Sequence, residues 1–237
     1  MKRFVLLGKF IDHSLSPAIH REAFKEAGLD WSYGLMPVLE AELGSAVNEL
    51  RLGRIQGANV TTPYKEAIIP YLDRLSPAAQ AIGAVNTLYC VDGLLWGANT
   101  DAEGFIRDLR AKEPGFKDRS FLVLGAGGAA KAVQYALRQA GVSHVDTWTR
   151  QSLKALEALE ITVHCTPGLD ERAMAQLKWR PGQVFYDLRY TPEQTDLMRL
   201  AIKSGAVAYG GLGMLQEQAR LSFDIWKSAI LFKPVAP

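Results

Sequence analysis

Short apolar runs alternate with segments of helical period through most of this sequence, and this alternation restricts the possible folds more than any other feature. Strands and helices that alternate in this way form α/β units, in which helices pack against a mostly parallel sheet. We therefore predict an α/β fold. The predicted strands lie at 4–8, 32–36, 56–60, 87–91, 121–125, 145–149, 161–165, 184–188 and 206–210.

Three predicted helices begin in the same way, with a hydroxyl residue followed by proline. The hydroxyl can accept a hydrogen bond from an N–H group of the first turn, and proline suits the first helical position. The predicted N-caps are Ser16, Thr62 and Ser76. Lys65 then falls in a first turn, where the helix dipole disfavours a cation. This lysine therefore needs an explanation beyond local structure.

Two breaks in the pattern divide the chain. One lies near Asp101, where a helix and a Gly/Pro loop precede a fresh strand, and the other follows the strand that ends at Gly210. We expect one domain of residues 1–101, completed by 212–237, and a second of residues 102–211. The final helix has an apolar face wide enough to cover the core of the first domain.

Composition excludes several classes of protein. The 237 residues carry a net charge of +2 and are 48% hydrophobic, without a basic run or an acidic tail, which argues against nucleic-acid binding. No apolar stretch is long and uninterrupted enough to span a membrane. Cys90 and Cys165 have neither disulfide-rich nor CxxC spacing, so a reducing cytoplasm is expected. The four histidines have no metal-ligand spacing, and no metal is predicted.

The run FLVLGAGGAAKAV places a GxGxxA pattern between a predicted strand and a predicted helix. Such a turn lets the backbone approach a pyrophosphate at the helix N-terminus, and the small third residue lets the helix pack on the strand. The alternative is a glycine-rich turn with a structural role alone. The predicted dinucleotide-binding residues of the turn are Gly125, Ala126, Gly127, Gly128, Ala129 and Ala130.

The end of the next strand indicates which dinucleotide fits. An acidic residue there would bind a ribose 2′-hydroxyl, whereas the sequence has Thr149, Arg150 and, one turn later, Lys154. Two cations favour a 2′-phosphate, and hence NADP. Asp146 is the competing acid, but it lies within the strand and is assigned a structural role. A solvated loop is the alternative for the two cations.

Polar residues cluster at the ends of the early strands. Side chains at one edge of an α/β sheet line the crevice where ligands bind. Hydroxyls and a lysine can hold a carboxylate, and amides can bind hydroxyls, so the set suits a small polyhydroxylated acid. Turn and cap roles are the alternatives for individual members. The set comprises Ser14, Asn59, Thr61, Lys65, Asn86, Asn99 and Asp101.

Seven runs resemble the shikimate dehydrogenase family in order and spacing, across nearly the whole chain. They are HSLSP (13–17), NVTTPYKE (59–66), GAVNT (83–87), NTD (99–101), GAGGAA (125–130), DLRYTPEQTDL (187–197) and GLGMLQEQA (211–219).

The resemblance implies roles for these residues. Ser14, Ser16 and Tyr190 hold the substrate carboxylate, and Lys65 and Asp101 form the catalytic pair. Residues 125–130 bind NADP with Arg150 and Gly211. The ring hydroxyls are surrounded by Asn59, Thr61, Asn86, Asp101 and Gln218.

The implied architecture is a substrate-binding domain facing a Rossmann-type NADP-binding domain across a cleft, with the last helix returning to the first domain. The implied reaction is the reversible reduction of 3-dehydroshikimate to shikimate with NADPH, on the route through chorismate to the aromatic amino acids. A cytoplasmic monomer or homodimer is expected.

Several positions depart from the family pattern, mostly in the cofactor half. Lys9 and Phe10 replace the usual Asn-Pro, His164 and Cys165 replace the common Asn-Ala, and Arg189 takes a usually apolar place. The segment after Lys154 is short.

Two alternatives stay open. One is a shikimate-like or quinate dehydrogenase of broader specificity, and the other is a non-catalytic protein that senses shikimate. The retained Lys65 and Asp101 argue against the second alternative, whereas the short segment after Lys154 favours it.

Overall fold

The computed structural model describes residues 1–149, 158–166, 177 and 179–231. The chain divides into two compact units. The first comprises Met1–Thr100 and Gln218–Pro237, and the second comprises Asp101–Glu217. Both units contain a sheet and helices, which confirms the predicted α/β class. Among the described helices, none has the length and apolar character needed to cross a membrane.

A six-stranded mixed sheet forms the centre of the first unit. Its strands are β1 (Lys2–Gly8), β2 (Trp31–Pro37), β3 (Gly57–Val60), β4 (Arg74–Leu75), β5 (Thr87–Val91) and β6 (Leu94–Ala98), in the order β2-β1-β3-β5-β6-β4. β1 pairs in parallel with β2 and β3, and β5 pairs antiparallel with β3 and β6.

Strands β4 and β6 were not predicted. β5 and β6 form a hairpin whose turn residues, Asp92 and Gly93, have φ angles of 52° and 77°. Asp-Gly between apolar runs is a strong sequence signal for such a turn, so β6 could have been found. β4 has only two residues, too short to show a period.

Both faces of this sheet are covered. Side chains of β1 point alternately to the two faces. Phe4 and Leu6 pack with Phe24 and Trp226 in one core, and Val5 and Leu7 pack in the other with apolar residues of 43–50 and of β5. The helices of the unit are α1 (Ser16–Glu26), α2 (Leu43–Arg51), α3 (Tyr64–Ala67) and α4 (Pro77–Ile82), with short 3₁₀ turns at Glu40–Glu42 and Ile69–Tyr71.

The second unit contains a five-stranded parallel sheet. Its strands are β7 (Phe121–Leu124), β8 (Val145–Trp148), β9 (Ile161–His164), β10 (Val184–Asp187) and β11 (Val207–Gly210), in the order β11-β10-β9-β7-β8. The helices are α5 (Asp101–Lys112), α6 (Gly128–Gln139) and α7 (Asp196–Lys203). β8 lies beside β7 on one side, and the next strand along the chain, β9, lies on the other side, so the strand order reverses between β7 and β9. In α/β sheets, ligands bind at the carboxyl ends of the strands at such a reversal.

The last helix, α8 (Leu212–Leu231), contributes its residues from Gln218 onward to the first unit. Trp226 anchors it there. The indole is fully buried and donates to the Leu88 carbonyl at 3.0 Å. A Cβ on Gly57 would lie 2.5 Å from the indole nitrogen, so glycine is required beneath the ring. The predicted return of the last helix is confirmed.

One of the three predicted N-caps is correct. Ser76 Oγ accepts from the Ala79 N–H at 3.2 Å. Ser16 is instead the first residue of α1, and Ser14 Oγ accepts from its N–H at 3.2 Å. Thr62 is also wrong as a cap, because Pro63 occupies the cap position of α3 and Lys65 becomes its second residue. With only four residues, α3 has a small dipole, so the cost of this cation is lower than predicted.

Candidate active site

The loop after β1 brings two predicted carboxylate ligands together. The Ser14 hydroxyl donates to Ser16 Oγ at 3.1 Å. Ile11 of this loop and Thr61 both pack against Gly8, the last residue of β1. A Cβ on Gly8 would lie 2.4 Å from Ile11 Cγ2 and 2.6 Å from Thr61 Cγ2. Glycine is therefore required at the carboxyl end of β1. Two adjacent, partly buried hydroxyls can reorient to donate to the oxygens of one carboxylate.

Asn59 lies in a buried polar network of the first unit. Its Oδ1 accepts from the Tyr33 hydroxyl at 2.8 Å. Its Nδ2 donates to the Asn86 carbonyl and to Ser222 Oγ, both at 3.0 Å. Both ends of this amide are thus engaged within the protein. Contact between Asn59 and a substrate hydroxyl stays a prediction.

Asn86 and Gln218 meet in the same network. Asn86 Oδ1 accepts from the Thr100 N–H at 2.8 Å and from the Thr87 hydroxyl at 2.9 Å. Asn86 Nδ2 donates to Thr100 Oγ1 at 2.8 Å and to Gln218 Oε1 at 3.2 Å. These partners assign the orientation of the Asn86 amide, since a backbone N–H can only donate. Residues 132 positions apart are therefore adjacent.

Three buried hydroxyls of this network, on Thr87, Thr100 and Ser222, were not predicted. Ser222 follows Gln218 by four residues, so the two share a helix face, and that spacing was a usable signal. Thr87 and Thr100 each follow an asparagine directly and carry no comparable signal, because threonine is common in strands and turns.

The two predicted catalytic residues have well-defined surroundings. Lys65 is half-buried, and its carbonyl accepts from the Val85 N–H at 2.7 Å. The preceding Tyr64 is buried and donates from its hydroxyl to the Val38 carbonyl at 2.8 Å, which fixes α3. Asp101 is buried and is itself the first residue of α5, a favourable place for a carboxylate.

His20 is held neutral beneath this network. Its ring stacks on Tyr33 with a centroid distance of 4.3 Å and an interplanar angle of 12°. Burial lowers the pKa of His20 to about 3. Neither ring nitrogen has a hydrogen-bond partner in the described ranges. His20 therefore packs as an apolar ring, as expected for a structural histidine.

The glycine-rich turn of the second unit follows β7 directly. Gly125 has a φ of 129°, which favours glycine, and a Cβ there would lie 3.5 Å from the Thr166 Cβ. Gly127 is the cap residue of α6, and a Cβ on it would have no atom within 4 Å. Ala130 is fully buried where α6 packs on the sheet. The turn thus has an open backbone side and a closely packed side.

This turn fits a dinucleotide pyrophosphate. Ala126 and Gly127 are exposed, and the 12-residue helix α6 begins directly after them. N–H groups at a helix N-terminus bind phosphate without side-chain charge. Thr149 lies half-buried after β8, at the neighbouring strand end. Arg150 and Lys154, predicted to bind the 2′-phosphate, lie outside the described residues.

A buried carboxylate organises the segment that carries Tyr190. Asp187 is fully buried and accepts from the Thr195 hydroxyl and Arg189 Nη2, both at 2.7 Å, and from His164 Nδ1 at 3.0 Å. Burial alone would raise the pKa of Asp187, but these hydrogen bonds outweigh it and hold the pKa well below its ordinary value. Two departures from the family pattern, His164 and Arg189, thus meet on one carboxylate.

Gly211 closes the same segment. A Cβ there would lie 2.1 Å from the Leu188 carbonyl oxygen, so no larger residue fits. Its N–H donates to the Arg189 carbonyl at 2.9 Å. Close backbone packing explains this glycine, and its predicted contact with the cofactor stays a prediction.

Neither cysteine is poised as a nucleophile. Burial raises the pKa of the Cys165 and Cys90 thiols, which disfavours the reactive thiolate. Within the described ranges, no group of three or more His, Cys, Asp or Glu side chains could hold a metal ion.

Known proteins resemble this chain along most of its length. A family model described as the shikimate dehydrogenase substrate binding domain matches residues 6–88. A shikimate dehydrogenase (NADP(+)) of Bacillus anthracis is 35% identical over an alignment of 262 positions, gaps included, which covers 97% of this chain and 94% of the relative. One of Salinibacter ruber is 38% identical, covering 93% and 90%. The solved shikimate 5-dehydrogenase of Thermus thermophilus, in complex with NADP(H) and shikimate, has a TM-score of 0.85 at 35% identity, covering 96% and 94%.

Proposed function

The chain belongs to the shikimate dehydrogenase family, and we propose that it catalyses the reversible, NADP-dependent reduction of 3-dehydroshikimate to shikimate, a step towards chorismate and the aromatic amino acids. The observation that carries this proposal is the identity to NADP-dependent relatives over nearly the full length of both chains. The buried network that joins Asn86 to Gln218 supports it, because amides arranged in this way can bind several ring hydroxyls.

On the substrate side, the hydroxyls of Ser14 and Ser16 donate to the substrate carboxylate, assisted by the Tyr190 hydroxyl. The 3.1 Å separation of the two serine oxygens supports this role. The ring hydroxyls are bound by Asn59, Thr61, Asn86, Asp101 and Gln218.

The catalytic pair of this proposal is Lys65 and Asp101. The Lys65 ammonium donates a proton to the oxygen on C3 as the carbonyl becomes a hydroxyl, and accepts it back in the reverse reaction. The buried Asp101 carboxylate accepts a hydrogen bond from a neighbouring ring hydroxyl and orients it. When bound, NADPH supplies the hydride that reduces C3.

We assign the substrate-binding role to residues 1–101 with 212–237 and the cofactor-binding role to residues 102–211. Residues 125–130 hold the pyrophosphate, with Gly211 nearby in the cofactor site. Thr149, Arg150 and Lys154 hold the 2′-phosphate, since two cations at a strand end can bind an extra phosphate.

Arg150→Asp tests the cofactor assignment. The new carboxylate repels the 2′-phosphate, so KM for NADP should rise by about tenfold or more while KM for NAD changes little. The measurement is the ratio of kcat/KM with NADP to that with NAD. Arg138→Asp, at an exposed position on α6, controls for the change in net charge. An unchanged ratio in Arg150→Asp would contradict the assignment.

We also propose that the protein is a cytoplasmic monomer or homodimer. The two free cysteines suit a reducing compartment. Light scattering on the purified protein gives the oligomeric state, and a mass of three or more subunits would rule out this part of the proposal.

One assay separates the proposed reaction from its two alternatives. The protein is mixed with NADP and either shikimate or quinate, and NADPH absorbance is followed. NADPH formed with shikimate alone supports a shikimate dehydrogenase, and NADPH formed with both acids supports a broader specificity. Calorimetric binding of shikimate without NADPH formation would instead indicate a sensor.

A further inference from the structure

The Ser222 hydroxyl lies at the centre of the polar network in the first unit. Its Oγ is 2.8 Å from Thr87 Oγ1, 3.0 Å from Asn59 Nδ2, 3.1 Å from Thr100 Oγ1 and 3.0 Å from the Gln218 carbonyl. The residue is fully buried. Its hydrogen bonds are therefore made with protein groups.

The direction follows from which atoms carry protons. The Gln218 carbonyl can only accept, and Asn59 Nδ2 can only donate. Ser222 therefore donates to the Gln218 carbonyl and accepts from Asn59. Its remaining lone pair accepts from one of the two threonine hydroxyls. The other threonine can donate to Asn86 Oδ1, which lies 2.9 Å from Thr87 Oγ1 and 3.2 Å from Thr100 Oγ1.

This arrangement fixes the orientation of two amides. Donors surround Asn86 Oδ1, so the Asn86 NH2 group must face Gln218 Oε1. The Gln218 oxygen then accepts, which sets the donor end of that amide on its other side. Flipping either amide would place two donors or two acceptors against each other. A flipped amide would also present the wrong pattern to a substrate hydroxyl.

We propose that Ser222 is a positioning residue for substrate recognition, and this inference rests on the proposed function. It acts through the two threonine hydroxyls that its Oγ contacts, which in turn contact the Asn86 amide, and so supports the Asn86–Gln218 pair that binds the ring hydroxyls without contacting the substrate itself. Removing its hydroxyl takes a hydrogen-bond partner from Asn59 and from the two threonines, so the Asn86–Gln218 pair is held less firmly and binding of the substrate is weakened in the ground state and the transition state alike.

Ser222→Ala should raise KM for shikimate by about tenfold, while kcat stays within about threefold of wild type. KM for NADP should not change, and calorimetry should show the same loss of affinity for shikimate. Ser228→Ala is the matched control, because Ser228 lies on the same helix and is less buried than Ser222. Thr87→Val, which removes a hydroxyl from the same network at nearly constant volume, provides a second variant with the same expected pattern.

A double-mutant cycle separates positioning from simple stabilisation. If Ser222 acts through Gln218, Ser222→Ala should have a much smaller effect on KM in a Gln218→Ala background. A lower melting temperature with unchanged KM for shikimate in both Ser222→Ala and Thr87→Val would overturn the inference and leave the proposed function standing. A wild-type chain that neither binds nor oxidises shikimate would overturn both.

Discussion

Lys65→Ala should lower kcat for shikimate oxidation by about 10²–10⁴-fold while KM for shikimate changes by less than about threefold. Removing the group that takes up the proton acts mainly on the transition state, because the proton moves only as the C3 oxygen changes charge. Lys25→Ala, which removes an exposed lysine from α1, controls for the loss of one positive charge. Steady-state kinetics with varied shikimate at saturating NADP gives both constants.

Lys65→Arg distinguishes proton transfer from charge alone. Arginine keeps the positive charge but does not release a proton in proteins. We expect Lys65→Arg to be nearly as slow as Lys65→Ala. Recovery of most of the rate in Lys65→Arg would mean that the cation only polarises the carbonyl. Near-normal turnover in Lys65→Ala would remove Lys65 from the mechanism.

Asp187→Asn should lower the free energy of unfolding by about 3 kcal/mol. The substitution leaves the shape of the side chain nearly unchanged but removes the negative charge that Arg189 and His164 contact. The NH2 group of the new asparagine would also place a donor against the N–H groups of these two residues. Urea unfolding measures the loss. Asp146→Asn is the matched control, because Asp146 is an exposed aspartate in β8 of the same sheet. If Asp187→Asn lowers the free energy of unfolding no more than Asp146→Asn does, the buried charge contributes nothing to stability.

The same carboxylate gives the protein an acid-dependent stability. The folded-state pKa of Asp187 is lowered, so its contribution is complete above the unfolded value of about 3.9 and is lost as pH falls through the folded value. Wild type should therefore lose stability as pH falls below about 5, and the Asp187→Asn variant should lack part of that loss. Unfolding curves of wild type and Asp187→Asn at several acidic pH values test this expectation. An equal fall in the free energy of unfolding of both proteins with pH would contradict it.

Strands with a strong apolar pattern were predictable, whereas pairing between distant elements was not. The glycine turn at 125–130 was found because its pattern combines a tight turn at Gly125, an open backbone at Gly127 and close packing at Ala130, and the structure gives Gly125 a φ of 129°. The β5–β6 hairpin was missed although Asp92 and Gly93 signal it. Ser222 reaches Asn59 over 163 positions, and no local rule relates two residues at that separation.

Helix starts show where local rules fail. The same hydroxyl-proline signal is correct at Ser76 and wrong at Ser16 and Thr62. At Ser16 the chain uses the hydroxyl of Ser14 two residues earlier, and α3 is fixed by the buried Tyr64 instead of a cap. A local hydrogen bond decided the first case, and a tertiary contact decided the second and also placed Lys65.

The most direct test of the proposed function is reduction of 3-dehydroshikimate by NADPH with wild-type protein and Lys65→Ala measured side by side. We predict rapid loss of NADPH absorbance with wild type, dependent on 3-dehydroshikimate, and loss slower by about 10²-fold or more with the variant. Absence of NADPH oxidation by the folded wild-type protein, or equal rates in both proteins, would contradict a dehydrogenase that works through Lys65.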